Sequence, residues 1–393
     1  MKTKILKLLL PVLAMAAAAC GDSFEFGSPT HDLDEGIDLT AGTTQVLWKN
    51  KGAVYPTKRI HNFRIPGLVR TPHKLIAFCE AREETGSTNK DGGDIDLVYR
   101  VSTDDGQTWG PSQVLFDDED NTCGNACAVY TESGRLVILC CWQRTGTTEA
   151  KFKSNYFSFE ESQRYACHVV CFYSDDEGET WAGPFKWFTE NRNSDPGRYL
   201  WTSFFKTGPG HAIQLKTGQH KGRILVGCDH KYQIFDGVAV NANSEDENYY
   251  GSHVAYSDDN GETWHMLELD EELHYGNECV PVELSDGRIY LDMRGTGAYK
   301  NQRGWSVSGD GGITWSRYAS NPLRTDPGCQ GSIVNYNTSG VPSSVILASS
   351  NNSTARQPGR LRHMENGCLP DHRRQIRLFG YGRIRRRQRR RTL

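Results

Sequence analysis

Beyond its first twenty residues, the 393-residue chain has no unbroken apolar stretch of the 18 or so residues that a membrane-spanning helix requires. No segment sustains helical hydrophobic periodicity, which argues against a helical bundle. No Pro/Ser-rich linker interrupts Val46 to Gln357, so one large domain is expected there rather than two small ones. The twelve cysteines include no Cys-x-x-Cys pair. That removes the usual zinc spacing, and neither a metal site nor a cofactor is expected. Cys123/Cys127 and Cys167/Cys171 are four apart and Cys140 and Cys141 are adjacent. Most cysteines sit in apolar runs, where a reduced thiol behaves as a small buried hydrophobe. From Pro358 to the end there are 12 arginines, 2 acidic residues and no lysine.

What is present is repetition. Four copies of Ser-x-Asp-x-Gly-x-Thr-Trp occur, at Ser102–Trp109, Ser174–Trp181, Ser257–Trp264 and Ser308–Trp315. Each suits a hairpin turn: the Asp carboxylate accepts backbone N–H groups, the Gly tolerates positive φ, and the Trp packs under neighbouring strands. Their starts are 72, 83 and 51 residues apart, the mark of one supersecondary unit with insertions of variable length. Period-two runs such as Asp94–Val101 and Gly222–Gly227 lie between them. The expected class is all-β, a six-bladed β-propeller of four-stranded blades over residues 46–357, at roughly 50 residues per blade.

The ends differ from this middle. Lys2, Lys4 and Lys7 form a basic start, Ile5 to Ala19 an apolar core, and small residues lead into Cys20. Residues 1–19 therefore read as a secretory signal. A Cys after an alanine run suggests a bacterial lipoprotein lipidated at Cys20, although Ala17 stands where such signals carry a larger aliphatic residue. Residues 20–45 read as an acidic, polar tether. The expected location is outside the cytoplasm, in the periplasm or at the outer membrane or cell surface.

Near the start of the propeller stands Phe63-Arg64-Ile65-Pro66. Combined with the four repeated turns, it resembles the bacterial and animal sialidases, or neuraminidases, whose repeats are called Asp boxes or BNR repeats. The resemblance covers about Val46 to Gln357. It implies an exo-α-sialidase that releases terminal sialic acid from glycoproteins, glycolipids or oligosaccharides with retained configuration, using no cofactor. By this resemblance Arg64 is the first of three arginines that grip the substrate carboxylate. Such a role suits guanidinium forks, which pair with carboxylates bidentately and stay charged. Arg82, in Cys79-Glu80-Ala81-Arg82, corresponds to a pocket arginine near the sugar's O4 side. A catalytic Asp is then expected in the next loop. Asp91, Asp94 and Asp96 compete, and Asp91 is preferred because the other two already belong to an alternating strand.

Asn277-Glu278-Cys279 and Leu291-Asp292-Met293-Arg294 stand 16 residues apart, the interval of a hairpin that returns both side chains to one mouth. The resemblance implies that Glu278 polarises a tyrosine nucleophile and that Arg294 is the second arginine. Ser349 to Arg356 resembles the segment bearing the third, making Arg356 its candidate, and Cys329-Gln330-Gly331-Ser332 resembles the opening of a late blade. Gly208-Pro209-Gly210-His211 matches a pocket-wall strand, with a structural role for His211 equally open. Sialidases depart from the usual two-carboxylate glycosidase by using a phenol, which the substrate's own carboxylate does not repel.

The expected Tyr-Ser-Asp is missing. After Gln357 the pattern stops, and residues 358–393 become Arg-rich without strand-like alternation. A shifted reading frame that replaced the last blade accounts for this better than a nucleic-acid-binding arm, and no nucleic-acid partner is expected. Tyr381, the tail's only tyrosine, lies in unrelated surroundings and is not assigned. Weak or absent turnover follows, with transfer of the sugar to another glycan, a non-catalytic sialoglycan-binding propeller and a general adhesion module as the other readings.

Overall fold

The computed structural model describes residues 44–49, 58, 60–83, 91–146, 167–187, 199–234, 249–266, 273, 275–326, 328–335, 346–349 and 375–379. Cys20, Arg356, Tyr381, the signal segment and the tether up to residue 43 lie outside the described residues, while Thr44 and Gln45 open a strand. Among the described residues the regular structure is almost wholly strand, with no α-helix. Gly42–Arg356 and His363–Gly382 form one compact unit.

Four antiparallel meanders follow one another. Strand β1 (Thr44–Lys49) precedes the first, which comprises β2 (Ile60–Arg70), β3 (Leu75–Glu83), β4 (Ile95–Ser102) and β5 (Gln113–Phe116). The second comprises β6 (Thr122–Tyr130), β7 (Leu136–Gln143), β8 (His168–Ser174) and β9 (Ala182–Trp187). The third begins with β10 (Tyr199–Thr207). The short strands β11 (Gly210–His211) and β12 (Ile213–Gln214) come next, then β13 (Ile224–Ile234), β14 (Tyr249–Ser257) and β15 (His265–Met266). The fourth is β16 (Gly276–Glu283), β17 (Ile289–Gly295), β18 (Gln302–Ser308) and β19 (Ala319–Thr325). Strands β20 (Ser332–Asn335) and β21 (Ile346–Ser349) pair with each other, and β22 (Gln375–Phe379) pairs antiparallel with β1.

Each Ser-x-Asp-x-Gly-x-Thr-Trp turn joins the third strand of a meander to the fourth. The chemistry is the same in all four. In the first, Ser102 Oγ accepts the Gly106 N–H at 2.8 Å, and Asp104 accepts the Thr108 N–H at 2.8 Å and its hydroxyl at 2.5 Å. The glycines at 106, 178, 261 and 312 have φ between 82° and 89°, a region that a Cβ disfavours. Hydrogen bonds from Thr108 and Ser102 hold the Asp104 carboxyl down to about 2, and the equivalent bonds do the same for Asp176. Three of the four indoles, Trp109, Trp264 and Trp315, donate Nε1–H to the glycine carbonyl of their own turn. Trp181 differs and donates to the Tyr99 hydroxyl at 3.3 Å.

The alternation read in the sequence does not divide solvent from core. Strands β3, β4 and β7 are buried on nearly every side chain, because sheets pack on both of their faces. One core layer, around Ile76, Phe78, Leu97 and Ile138, joins the first two meanders. Another, around Leu225, Val254, Ile289 and Leu291, joins the third and fourth. Nine cysteines from Cys79 to Cys279 are buried among the described residues, and burial pushes thiols such as Cys127 and Cys140 well above their ordinary range. They act as small apolar wedges in these layers.

Candidate active site

The asymmetry of the meanders defines the site. The Asp-containing turns occupy one end of each sheet, and the opposite end is where first strands begin and second strands finish. Arg64 stands near the start of β2, and Arg82 near the end of β3. Glu278 stands near the start of β16, and Arg294 near the end of β17. All four predicted residues therefore share the end away from the turns.

Strand β2 bends at Arg64: the register with β3 shifts between Arg64 and Gly67, and Ile65 has φ 55°, rare for a β-branched residue. A bulge of this kind re-aims a side chain. Here Arg64 is 27 % exposed, with its guanidinium 3.6 Å from Asp91 Oδ1. Arg82 donates to the same oxygen through an Nη at 2.6 Å. Burial alone raises a carboxyl pKa, but the charge and hydrogen bond of Arg82 outweigh it, helped by Arg64 and Lys206. The Asp91 carboxyl is thus held below its ordinary range although its side chain is 69 % exposed.

The competing acids lie elsewhere. Asp94 and Asp96 turn to the Lys58 ammonium, at 3.4 and 3.1 Å, with Asp117 at 3.2 Å. Burial, a hydrogen bond that the protonated carboxyl donates to Glu83, and the charge of Asp96 raise Asp94 to about 7. Asp91 alone of the three meets both predicted arginines.

Arg82 is itself fixed from beneath, which the motif did not announce. Glu80 is 3 % and Arg82 5 % exposed. Arg82 Nε and one Nη donate to Glu80 Oε2 at 2.9 and 2.5 Å, while Glu80 Oε1 accepts the Asn125 N–H at 3.0 Å. The pocket is closed around that carboxylate, since a Cβ at Gly124 would stand 2.2 Å from Glu80 Oε1. The available signal was positional: residues two apart on a strand share a face.

On the other side, Arg294 donates to Glu278 Oε2 at 3.1 Å, so the hairpin returns both side chains to one place as expected. Cys279, next to Glu278, is enclosed by backbone. A Cβ at Gly227 would come within 2.3 Å of its carbonyl oxygen, and one at Gly208 within 2.2 Å. His211 is half-buried, and burial draws its imidazole down to about 4, so it is neutral at physiological pH. Below Arg294, Arg303 is 1 % exposed and bonds Asp292 at 2.8 Å, Asp326 at 3.1 Å and the Cys329 carbonyl at 3.2 Å. This network ties the segment before β20 to the fourth meander.

Comparison with known proteins identifies the family of the chain. The family model described as a BNR repeat-like domain matches residues 73–376. The chain is 30 % identical over 341 residues to a sialidase of Paraclostridium sordellii, covering 84 % of this chain and 74 % of that one. It is 26 % identical over 387 residues to an exo-alpha-sialidase of Aspergillus fumigatus, covering 92 % and 80 %. Among solved structures, the intramolecular trans-sialidase from Ruminococcus gnavus in complex with oseltamivir carboxylate aligns with a TM-score of 0.57 at 18 % identity. That alignment covers 77 % of this chain and 80 % of that chain.

Proposed function

The chain belongs to the BNR-repeat sialidases, and from that premise we propose that it recognises and cleaves terminal sialic acid through the residues gathered at this end of its sheets. Its reaction class is exo-α-sialidase and its substrates are sialylated glycans. The observation that carries the residue assignment is the meeting of Asp91 with Arg64 and Arg82, at 3.6 and 2.6 Å.

In this reading Arg64 and Arg294, with Arg356 as the third candidate, hold the substrate carboxylate, while Arg82 lines the pocket. A carboxylate bound to Arg64 draws that charge from Asp91 and excludes water, both of which raise the Asp91 pKa. Asp91 then donates its proton to the glycosidic oxygen as the bond to the anomeric carbon breaks. Ionised again, it takes a proton from the water that releases sialic acid. The arginines stabilise the flattened, cation-like sugar by fixing its carboxylate. Glu278 is positioned to accept a proton from a phenol nucleophile. The chain offers no Tyr-Ser-Asp for that role after Arg356, which supports a second reading, sialoglycan binding with little turnover. Export by residues 1–19 and lipidation at Cys20 complete the proposal, and place the site outside the cytoplasm.

The test is hydrolysis of a fluorogenic sialoside together with binding of a sialic acid analogue. The parent chain is expected to bind the analogue and to turn over slowly. Asp91→Asn abolishes residual turnover and leaves binding within a few-fold. A chain that binds no sialic acid analogue refutes the assignment.

A further inference from the structure

A ladder of three tyrosines stands beside Glu278 and Arg294, and the carboxylate chemistry does not use it. Its base, Tyr318, is 8 % exposed and lies flat on β18, where a Cβ at Gly304 would fall 2.1 Å from the ring. Tyr299 packs on Tyr318 with centroids 5.1 Å apart, and Tyr275 meets Tyr299 edge-on at 5.1 Å and 73°. Burial decreases along the ladder until Tyr275 is 43 % exposed. It joins Val114, Phe185 and Ile313 as the large apolar side chains at the surface among the described residues.

The backbone at Tyr275 is strained, with φ 69°. A bulky residue rarely adopts that region, and such strain persists only where surrounding contacts over-determine it. The contacts are visible. The Tyr275 N–H donates to the Tyr250 carbonyl at 3.2 Å, and its own carbonyl accepts the Thr296 N–H at 2.8 Å and hydroxyl at 3.0 Å. Gly297 keeps the space beside the ring open, since a Cβ there would stand 3.3 Å from Tyr275 Cδ1. The effect is an exposed aromatic face with little freedom left to lose on binding.

Its position names the ligand. Tyr275 immediately precedes β16, three residues before Glu278, and its carbonyl is bonded two residues beyond Arg294. At about 3.3 Å per residue, the backbone of Tyr275 stands on the order of 10 Å from that of Glu278, at the same end of the sheet. A separation of that order is about the reach of one more sugar unit. A hexopyranose presents a face of C–H groups that packs on an aromatic ring, while its hydroxyls stay in water.

We propose that Tyr275 is a specificity residue, the platform on which the sugar next to sialic acid stacks. This deepens the sialidase reading and rests on it. The probes are methyl α-sialoside, which lacks that second sugar, and sialyllactose, which carries it, both titrated into the full chain with Asp91→Asn to stop turnover. Tyr275→Gly removes the ring and relieves the positive φ; Tyr275→Phe keeps the ring. Tyr275→Gly is expected to weaken sialyllactose roughly five- to tenfold and to leave methyl α-sialoside unchanged. Tyr275→Phe should match the parent, and saturation-transfer NMR should mark the lactose ring protons only when the aromatic ring is present. If Tyr275→Gly weakens both ligands equally, or neither, the platform is refuted while the sialidase reading stands. If the parent with Asp91→Asn binds neither ligand, the sialidase reading fails and the platform fails with it.

Discussion

Replacing Glu80 by Gln tests the claim that a buried carboxylate holds Arg82 in place. Glu80 and Arg82 are 3 % and 5 % exposed, so neither can turn to water. Glu80 accepts from both sides: two Arg82 nitrogens reach Oε2, and the Asn125 N–H reaches Oε1. An amide offers a single oxygen. Whichever side receives it, the NH2 faces another donor, and the guanidinium loses its buried counter-charge. Breaking a buried ion pair at one partner costs about 3–5 kcal/mol. The lower end, about 3 kcal/mol, applies because Asp91 still bonds Arg82 and one acceptor survives. Equilibrium urea unfolding of the full chain should therefore show a lower midpoint with an unchanged slope. Affinity for a sialic acid analogue should fall as well, since the freed guanidinium shifts away from its place beneath Asp91. A loss below about 1 kcal/mol, the scale of an exposed pair, would refute the account.

Two further outcomes follow from the same geometry. Asp94, 8 % exposed and raised to about 7, keeps a proton in the folded protein that the unfolded chain releases near 4. Its stabilising contribution is therefore complete at low pH and is lost as pH rises through about 7. Asp94→Asn should gain stability relative to the parent between about pH 4 and pH 8, as followed by thermal unfolding. A relative loss over that window would show that Lys58 dominates Asp94 and keeps it ionised. Gly227→Ala drives a Cβ to 2.3 Å from the Cys279 carbonyl, a backbone atom that cannot swing aside. It should cost about 1–3 kcal/mol in urea unfolding and weaken analogue binding by displacing Glu278. Gly309→Ala, which meets nothing within 4 Å, should be neutral within about 0.5 kcal/mol. Equal behaviour of the two variants would refute the close-approach argument.

Much of the site was legible because its chemistry rides on local pattern. Four copies of one turn announced the repeated unit, and each indeed joins a third strand to a fourth. Arg64 before Ile65-Pro66 and the 16-residue interval between Glu278 and Arg294 are local as well. The strand or hairpin that carries them leaves few other places for the side chains to go. Asp91 was preferred to Asp94 and Asp96 by the same logic; Asp94 stands one residue before β4 and Asp96 within it, and Asp91 is the one that meets Arg64 and Arg82. What could not be read were partners far along the chain. Nothing near Asp94 and Asp96 in sequence marks Lys58 as their counter-ion, nor Asn125 as the donor to Glu80. Gly208 and Gly227 look like ordinary turn and strand glycines until Cys279 is laid against them.

The amino-acid order alone determined the repeating hairpin unit, the all-β class and the identity of the charged groups, since turn geometry and side-chain alternation act over a few residues. Only the folded sheets decided which charges face one another. Asp91 meets Arg82 nine residues away and Arg64 across the neighbouring strand, and Asp94 meets Lys58, thirty-six residues away, because packing brings them together. Those neighbours set the charge of each acid: the arginines hold Asp91 below the ordinary carboxyl range, while burial and Asp96 raise Asp94.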